Sequence, residues 1–316
     1  MDNYESIKKL VARMKEIGKE ILAIVKEIDA TAETSSGYWL KKQREIRALY
    51  NEARKIAGTW TDESIPEFYR QAIKDELTKI KSQNIAVEKE IDYRTLVSSP
   101  QSQTDLNKLM KEVLNTFSSG FKKGENTLIR LSRLTQQINI KEEKVIKELA
   151  EGFETKATRK GASKRLQEEL MKKAIDGKFV IIIDKNGNPR QWRIDAYAEM
   201  VARTKLQEAS SQAMINTAVA LDQDLVQVSS HNTLTPMCQE YEGKIYSLSG
   251  KDEDFPELPE TPPFHPNCMH TLSIVIKEAL ENDGTLDKFS DFSKGKTEEY
   301  PVGHNFIPVS ERKEAE

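Results

Sequence analysis

Apolar residues recur at spacings of three and four along the N-terminal half of the chain, and this periodicity predicts amphipathic helices. The first predicted helix covers residues 4–29 and ends at the turn-prone stretch 34–37. A second helix is expected over 38–57, with Gly58 as its stop, and a third over about 66–91, after cap residues and a proline. These segments are expected to form a set of packed helices.

The helical pattern continues after a break at residues 98–102. Apolar positions between 106 and 117 again share one helical face, and Gly120 and Gly124 are expected to interrupt or kink this region. Further helices are expected at about 125–137, 141–152 and 161–175.

The pattern changes at Gly177. Residues 178–184 are rich in branched and aromatic side chains, an Asn-Gly turn follows, and 190–194 form a second apolar run, which together predict a β-hairpin. Trp192 is expected to anchor this hairpin in a small core. The next helix is expected to begin at an aspartate cap and to cover 195–221.

Three short strands are expected after that helix, and from Glu281 the polar, aperiodic sequence predicts an extended or disordered tail. The strands are 225–228, 245–248 and 271–276. The fold class is therefore α+β and mostly helical, with long N-terminal helices followed by a small α+β module. The expected divisions are a helical docking region at 1–174, the module at 175–280 and the tail at 281–316.

Composition restricts the function. The chain has 48 Lys and Arg against 51 Asp and Glu among 316 residues, so no general basic field indicates nucleic-acid binding. Basic residues within 159–173 leave DNA binding as an alternative, although such a run is typical of a solvated helix face. The N-terminus lacks the features of a secretory signal, and no apolar run reaches the roughly 18 residues that a membrane span needs. A soluble, intracellular protein is expected.

The chemistry of the chain is concentrated in residues 229–270, here called the Cys/His block. It contains both cysteines and three of the four histidines. Because thiolates and imidazoles are the ligands that zinc prefers, the block is a candidate metal site by ligand type. No other cofactor is indicated.

Spacing within the block defines the candidate ligands. His265 and Cys268 lie three residues apart, so one turn can present both to a single ion. Cys238 and either His231 or His270 would complete a tetrahedral shell. The alternative is that the histidines satisfy backbone groups while the cysteines are small buried apolar residues. A disulfide between the two cysteines is disfavoured in a reducing cytoplasm.

Catalysis by the block is a further alternative. Cys268 beside His270 is the pair that a cysteine nucleophile requires. A metal-dependent nuclease or hydrolase would instead use His231, His265 and His270, because the His-x-Asn sequence is similar to half of an HNH-type nuclease finger. That finger requires a helix where 271–276 predicts a strand. No catalytic residue is therefore assigned.

Four motifs carry a family resemblance: the helix 197–204 ending in Arg-Thr, Ser-Ser-His at 229–231, Gly-Lys-Ile-Tyr-Ser at 243–247 and Asn-Cys-Met-His at 267–270. Together they resemble the tailed-phage minor capsid protein 2 family, which is related to the Mu F-type (SPP1-like) head morphogenesis proteins, over about 175–280. The Mu F-type branch also shares the His-Pro-Asn-Cys sequence at 265–268.

One departure concerns the metal. Many Mu F-type members carry Cys-Pro-x-Cys, whereas this chain has Thr235-Pro-Met-Cys238. A four-thiolate site is therefore not expected, and His231 is favoured as the substitute ligand.

The resemblance implies a non-enzymatic structural protein of the phage head. Such a protein binds the portal vertex or the capsid interior and assists head assembly, DNA packaging or genome delivery. The implied partners are the portal protein and the major capsid protein, with phage DNA as a further candidate and no membrane. The implied location is the virion, inside the head near the portal, and the host cytoplasm during assembly.

Two structural roles are expected within the matched segment. Arg203 with Thr204 would hold its helix to the Cys/His block through a buried arginine bonded to loop carbonyls, with a portal or DNA phosphate contact as the alternative. Gly243 would occupy a turn conformation that a side chain forbids.

Overall fold

The computed structural model describes residues 3–27, 36–82, 91–139, 178–183, 188–301 and 306–312. The N-terminal elements are α1 (Asn3–Glu27), α2 (Ser36–Ser82), α3 (Tyr93–Val97), α4 (Pro100–Asn139), β1 (Val180–Ile183), β2 (Pro189–Trp192) and α5 (Ile194–Ala220). After these come β3 (Leu225–Val228), α6 (Pro236–Gln239), β4 (Ile245–Ser247), β5 (Leu272–Val275), α7 (Lys277–Asn282), α8 (Leu286–Ser293) and a 3-10 turn (Val309–Glu311). The predicted class, α+β and mostly helical, is confirmed.

The chain forms two contact-dense units. Unit 1 contains Met1–Thr61 and Glu112–Val201, and unit 2 contains Asp62–Lys111 and Ala202–Glu316. The limits fall inside α2, α4 and α5. Each unit combines two separate stretches of the chain, so the units do not test the expected division into consecutive segments at 174/175 and 280/281. That division stays a prediction.

The core of unit 1 is helical and aromatic. Phe117 and Phe121 of α4 contact the Tyr197 ring of α5 edge-on, with ring centroids 6.4 and 5.9 Å apart. The Tyr197 hydroxyl donates to the Thr116 carbonyl at 2.7 Å, so its buried polar atom is satisfied. A Cβ at Gly120 would lie 2.6 Å from this ring, so glycine is needed for close packing rather than for a kink.

A second close approach in unit 1 joins α4 to the hairpin. The Tyr50 hydroxyl donates to the Phe179 carbonyl at 2.6 Å, just before β1. A Cβ at Gly124 would lie 1.8 Å from that same carbonyl oxygen, so the helix approaches the chain through a glycine. In the antiparallel hairpin, Val180 pairs with Trp192; Val180 is buried and Trp192 is half-buried.

Unit 2 contains a three-stranded antiparallel sheet in the order β4-β3-β5. Leu225 and Ile245 from this sheet form a buried cluster with Phe255 and with Phe289 of α8. A polar network lies elsewhere in the unit, where Asn216 of α5 donates to the Tyr69 hydroxyl at 2.7 Å and to Asp105 at 3.0 Å.

The outer strand of the sheet is capped by a buried acid. Glu76 of α2 accepts the Ile274 N–H of β5 at 2.7 Å and is 7% exposed. Burial raises the pKa of Glu76 above its ordinary value of 4.5, although Lys79 and the Ile274 N–H oppose the shift. The carboxylate thus satisfies a strand-edge donor that would otherwise be buried without a partner.

We expect this acid to make stability fall as pH rises. Because the folded pKa of Glu76 is raised, its contribution is fully present below the unfolded value of 4.5 and is lost as pH rises through the folded pKa. Glu76→Gln keeps an acceptor without the charge, so it should remove this slope and be at least as stable at pH 7. Glu76→Leu should cost about 1–3 kcal/mol, since the Ile274 N–H loses its partner. Urea unfolding from pH 4 to 8 measures both; a slope unchanged in Glu76→Gln would contradict the assignment.

Several sequence-based expectations are wrong in detail. α2 continues through Gly58 and Pro66, because buried residues on both sides of these positions outweigh their local preference against helix. α4 likewise continues through both of its glycines. The helices expected at 141–152 and 161–175 lie outside the described residues, as does the hairpin turn.

The expected tail at 281–316 also differs. α7 extends to Asn282, α8 buries Phe289 and Phe292, and 306–312 make specific contacts described below. The spacing of three between those phenylalanines is a helical signal that is weak in a segment of this length.

Candidate functional site

Two short pieces of chain bring the cysteines of the Cys/His block together. Cys238 lies on the single turn of α6, where its N–H donates to the Thr235 carbonyl at 2.9 Å. Cys268 follows a tight turn in which Asn267 has φ 63° and the Cys268 N–H donates to the His265 carbonyl at 3.0 Å. Both cysteines are buried and free, with their sulfurs 3.9 Å apart.

His265 completes a group of three. Its ligand atom and the sulfurs of Cys238 and Cys268 all lie within 4.8 Å of one another. The His265 Nδ1 atom is 2.8 Å from the Pro266 carbonyl oxygen. Because a carbonyl only accepts, this contact favours the tautomer with the hydrogen on Nδ1, which makes Nε2 the nitrogen available to a ligand.

His270 lies behind Cys268. Its Nδ1 atom is 3.3 Å from the Cys268 sulfur and its Nε2 atom is 2.8 Å from Glu242 Oε1. Both ring nitrogens therefore have partners within the block, and His270 is 3% exposed. This arrangement positions the sulfur of Cys268, and His270 contacts the group of three through that sulfur without belonging to the group.

Glu242 connects the block to two other segments. Besides His270, its carboxylate accepts the backbone N–H of His231 at 2.8 Å and that of Thr233 at 3.1 Å. Arg312 donates to the same carboxylate and to the Thr233 carbonyl. The side chains of Glu242 and Arg312 are 0% and 1% exposed, so this is a buried ion pair with most of its hydrogen bonds made.

The electrostatics of the block follow from these contacts. Burial raises the pKa of Cys268, but hydrogen bonds from His270 bring it to about 7. Burial lowers the pKa of His270, whereas its bonds to Cys268 and Glu242 raise it to about 9. Burial and the neighbouring Cys268 raise the pKa of Cys238 to about 12. The chain alone thus favours one thiolate, on Cys268, beside a protonated imidazole.

Glu242 is held as a carboxylate. Burial raises its pKa, but hydrogen bonds from His270, the His231 N–H and Arg312 outweigh burial and lower it to about 2. Its negative charge therefore faces two positive side chains over the whole physiological pH range.

Of the four expected ligands, the structure brings three together. His231 is exposed, its Nε2 atom is 2.9 Å from the Ser229 hydroxyl, and its ring packs edge-on against His270 at 5.0 Å. Neither His231 nor His270 belongs to the group formed by Cys238, His265 and Cys268. The fourth ligand therefore stays a prediction.

The family is decided by comparison with known proteins. The family model of phage minor capsid protein 2 matches residues 5–300. The chain belongs to this family. No curated protein and no solved structure with which the chain was compared matches it.

Membership in the phage minor capsid protein 2 family implies a structural role in a phage, with other phage head proteins as partners. The matched range includes the N-terminal helices as well as the segment of about 175–280 that carries the motifs. No helix among the described residues has the length and apolar character that a bilayer span requires.

Within this family member, two residues near Arg203 join α5 to the turn that carries Cys268. Thr204 accepts the Asn267 N–H at 3.1 Å, and Gln207, one turn further along α5, donates to the Met269 carbonyl at 3.0 Å. Arg203 is exposed rather than buried. Gly243 has φ 74°, and a Cβ there would lie 2.7 Å from the Tyr300 ring.

The catalytic alternative has matching geometry in one respect. Cys268, His270 and Glu242 follow the order of nucleophile, base and orienting group. However, these residues are 2%, 3% and 1% exposed, so a substrate has no direct approach to the sulfur. An HNH-type nuclease finger requires a helix after residue 270, but the structure has the strand β5 there, which does not fit the nuclease alternative.

Sequence reasoning missed Glu242, Gln207 and Arg312. Each is a polar residue in a helical or loop segment of ordinary composition, and its partner lies between 28 and 70 positions away. The one local indication in the sequence was Gly243, whose expected turn directly follows Glu242.

Proposed function

We propose that this protein is a structural component of the phage head that binds the portal protein and has no catalytic role there. Its membership in the phage minor capsid protein 2 family over residues 5–300 is the observation that carries the proposal. The matched range includes residues of both units, so the match extends well beyond the Cys/His block.

The exposed apolar side chains favour a specific docking surface. Four large ones occur in or beside the Cys/His block, and we call them the apolar rim: Leu234, Met237, Met269 and Ile307, which are 41%, 46%, 69% and 44% exposed. Met237 and Met269 are the immediate neighbours of the two cysteines. Methionine is common at protein-binding surfaces because its flexible thioether adapts to a partner.

This surface modifies the expectation that the long helices alone do the docking. On the described part of unit 1, Leu40 of α2 and Leu114 of α4 are the exposed large apolar residues, at 51% and 37%. The neighbouring helical surface is charged, with exposed pairs such as Lys8–Glu5 and Arg13–Glu52. Exposed ion pairs of this kind contribute little binding energy. The apolar rim is therefore the stronger candidate for the portal contact.

Binding to purified portal and major capsid proteins of the same phage tests the proposal. We expect binding to the portal protein, and a Met237→Lys/Met269→Lys variant should weaken it at least about tenfold, since two interface anchors would each contribute over about 1 kcal/mol. Leu40→Lys is the matched control and should bind like the native chain. Binding to the major capsid protein alone, or an equal loss in both variants, would contradict the assigned partner or surface.

Enzyme activity is tested on the same preparation. Metal-dependent DNA cleavage that His265→Ala abolishes would overturn the structural proposal in favour of a nuclease. DNA binding that strengthens steeply at low salt would instead support a DNA-binding head protein.

A further inference from the structure

The distance between the sulfurs of Cys238 and Cys268 matches that of a metal shell, and His265 lies close to both. Two thiolates about 2.3 Å from a tetrahedral zinc ion lie about 3.8 Å apart. The two sulfurs are 3.9 Å apart before any ion is considered. The His265 ligand atom lies within 4.8 Å of both, on the half-buried loop that faces them.

The surroundings of the three donors also suit a metal. The proton on His265 Nδ1 is held by the Pro266 carbonyl, which is the partner that fixes a ligating imidazole in the correct tautomer. His270 Nδ1 lies 3.3 Å from the Cys268 sulfur, a contact that fixes the position of this metal donor. Glu242 in turn accepts from His270 Nε2 at 2.8 Å. This chain of contacts orients the ligand without adding a donor to the shell.

We propose that Cys238, His265 and Cys268 bind one zinc ion, and that His270 is a positioning residue rather than a ligand. These three residues fill three corners of the tetrahedron, and a water molecule takes the fourth corner in the isolated chain. Two thiolates and one imidazole form a soft donor set that favours zinc over magnesium or calcium. The ion joins α6 to the 264–268 turn, which lie 30 positions apart in sequence.

This inference does not depend on the proposed function, because it is tested on the chain alone. Native mass spectrometry of the full chain, purified without chelator, should show one bound zinc ion. A chelator should remove this ion, and Cys238 and Cys268 would then no longer be joined through it. A metal-free chain whose two thiols both react with an alkylating reagent would overturn the proposal. A chain lighter by two hydrogens would also overturn it, because the cysteines would then form a disulfide.

Substitutions then identify the ligands. His265→Ala should weaken zinc binding by at least about 100-fold, and since this side chain is half-buried on a loop, the fold should persist by circular dichroism. His231→Ala is the matched control and should bind zinc like the native chain. Loss of zinc in His231→Ala with retention in His265→Ala would overturn the ligand set.

The positioning role of His270 has its own readout. His270→Leu should weaken zinc binding about 10–100-fold, as substitutions next to metal ligands do. His270→Asn should restore most of that affinity, because an asparagine side-chain amide can place a donor near the position of Nδ1. In the cobalt-substituted protein, His270→Asn should retain the thiolate charge-transfer absorption of two sulfurs. Equal losses in both variants would contradict the positioning role, because restoring a polar group near Nδ1 would then have no effect.

Discussion

A Glu242→Ala variant is expected to lose about 3–5 kcal/mol of unfolding free energy, the cost typical of removing one partner from a buried ion pair. The carboxylate is fully buried and accepts from His270, from two backbone N–H groups and from Arg312. Its removal leaves the buried Arg312 guanidinium without its carboxylate partner and His270 Nε2 without its acceptor. Chemical denaturation at pH 7 measures the loss.

The neighbouring acid provides the control. Glu240 is exposed, so Glu240→Ala should change the free energy of unfolding by no more than about 0.5 kcal/mol. Glu242→Gln should lie between the two, since the amide keeps one acceptor but not the charge. If Glu242→Ala were as mild as Glu240→Ala, the buried network would not stabilise the block.

A double-mutant cycle separates the Arg312 contribution. Arg312 also donates to the Thr233 carbonyl, and its guanidinium lies 5.1 Å from the Phe306 ring. Coupling between Glu242→Ala and Arg312→Ala should be about 0.5–3 kcal/mol, as is usual for residues in contact. Hydrogen exchange over 306–312 should rise in both single variants, because the segment would lose its anchor.

A Gly124→Ala variant is expected to destabilise unit 1 by about 3 kcal/mol or more, at the upper end of the range for inserting a methyl group into a packed core. The added Cβ would lie 1.8 Å from the Phe179 carbonyl oxygen and 2.8 Å from the Tyr50 hydroxyl. α4 and the segment before β1 would have to separate, which breaks the 2.6 Å hydrogen bond between Tyr50 and Phe179.

Gly58→Ala is the matched control. The same methyl group at this helical position would meet its nearest neighbour, Leu114, at 3.9 Å, which is ordinary contact. Alanine should therefore stabilise α2 by about 0.5–1 kcal/mol, because glycine loses more backbone entropy on folding. Thermal unfolding of both variants compares them directly; similar shifts would mean that the close approach at Gly124 is absent.

The sequence predicts elements well where periodicity is strong. The helix at 195–221 and the strands at 225–228 and 271–276 lie within one or two residues of their observed limits. It fails where one residue type has two possible roles. Gly58 and Gly124 look alike in sequence, and neither stops a helix. Of the two, only Gly124 lets another segment of backbone, at Phe179, approach the helix closely. That difference depends on a partner 55 positions away, which periodicity cannot reveal.

The candidate site shows the same limit. Ligand types alone identify Cys238, His265 and Cys268, because soft donors are rare in this chain. The ligand types do not reveal that His270 Nε2 is hydrogen-bonded to Glu242. Glutamate is frequent in the chain, and its burial depends on Arg312, at the far end of a segment whose composition suggests disorder.

Cross-linking mass spectrometry of purified phage heads tests most directly the claim that this protein is a portal-binding structural component. The account predicts that the protein is present in heads and that lysines of the Cys/His block, such as Lys244, form cross-links to the portal protein. Absence of the protein from purified heads, or cross-links from this region only to the major capsid protein, would contradict the account.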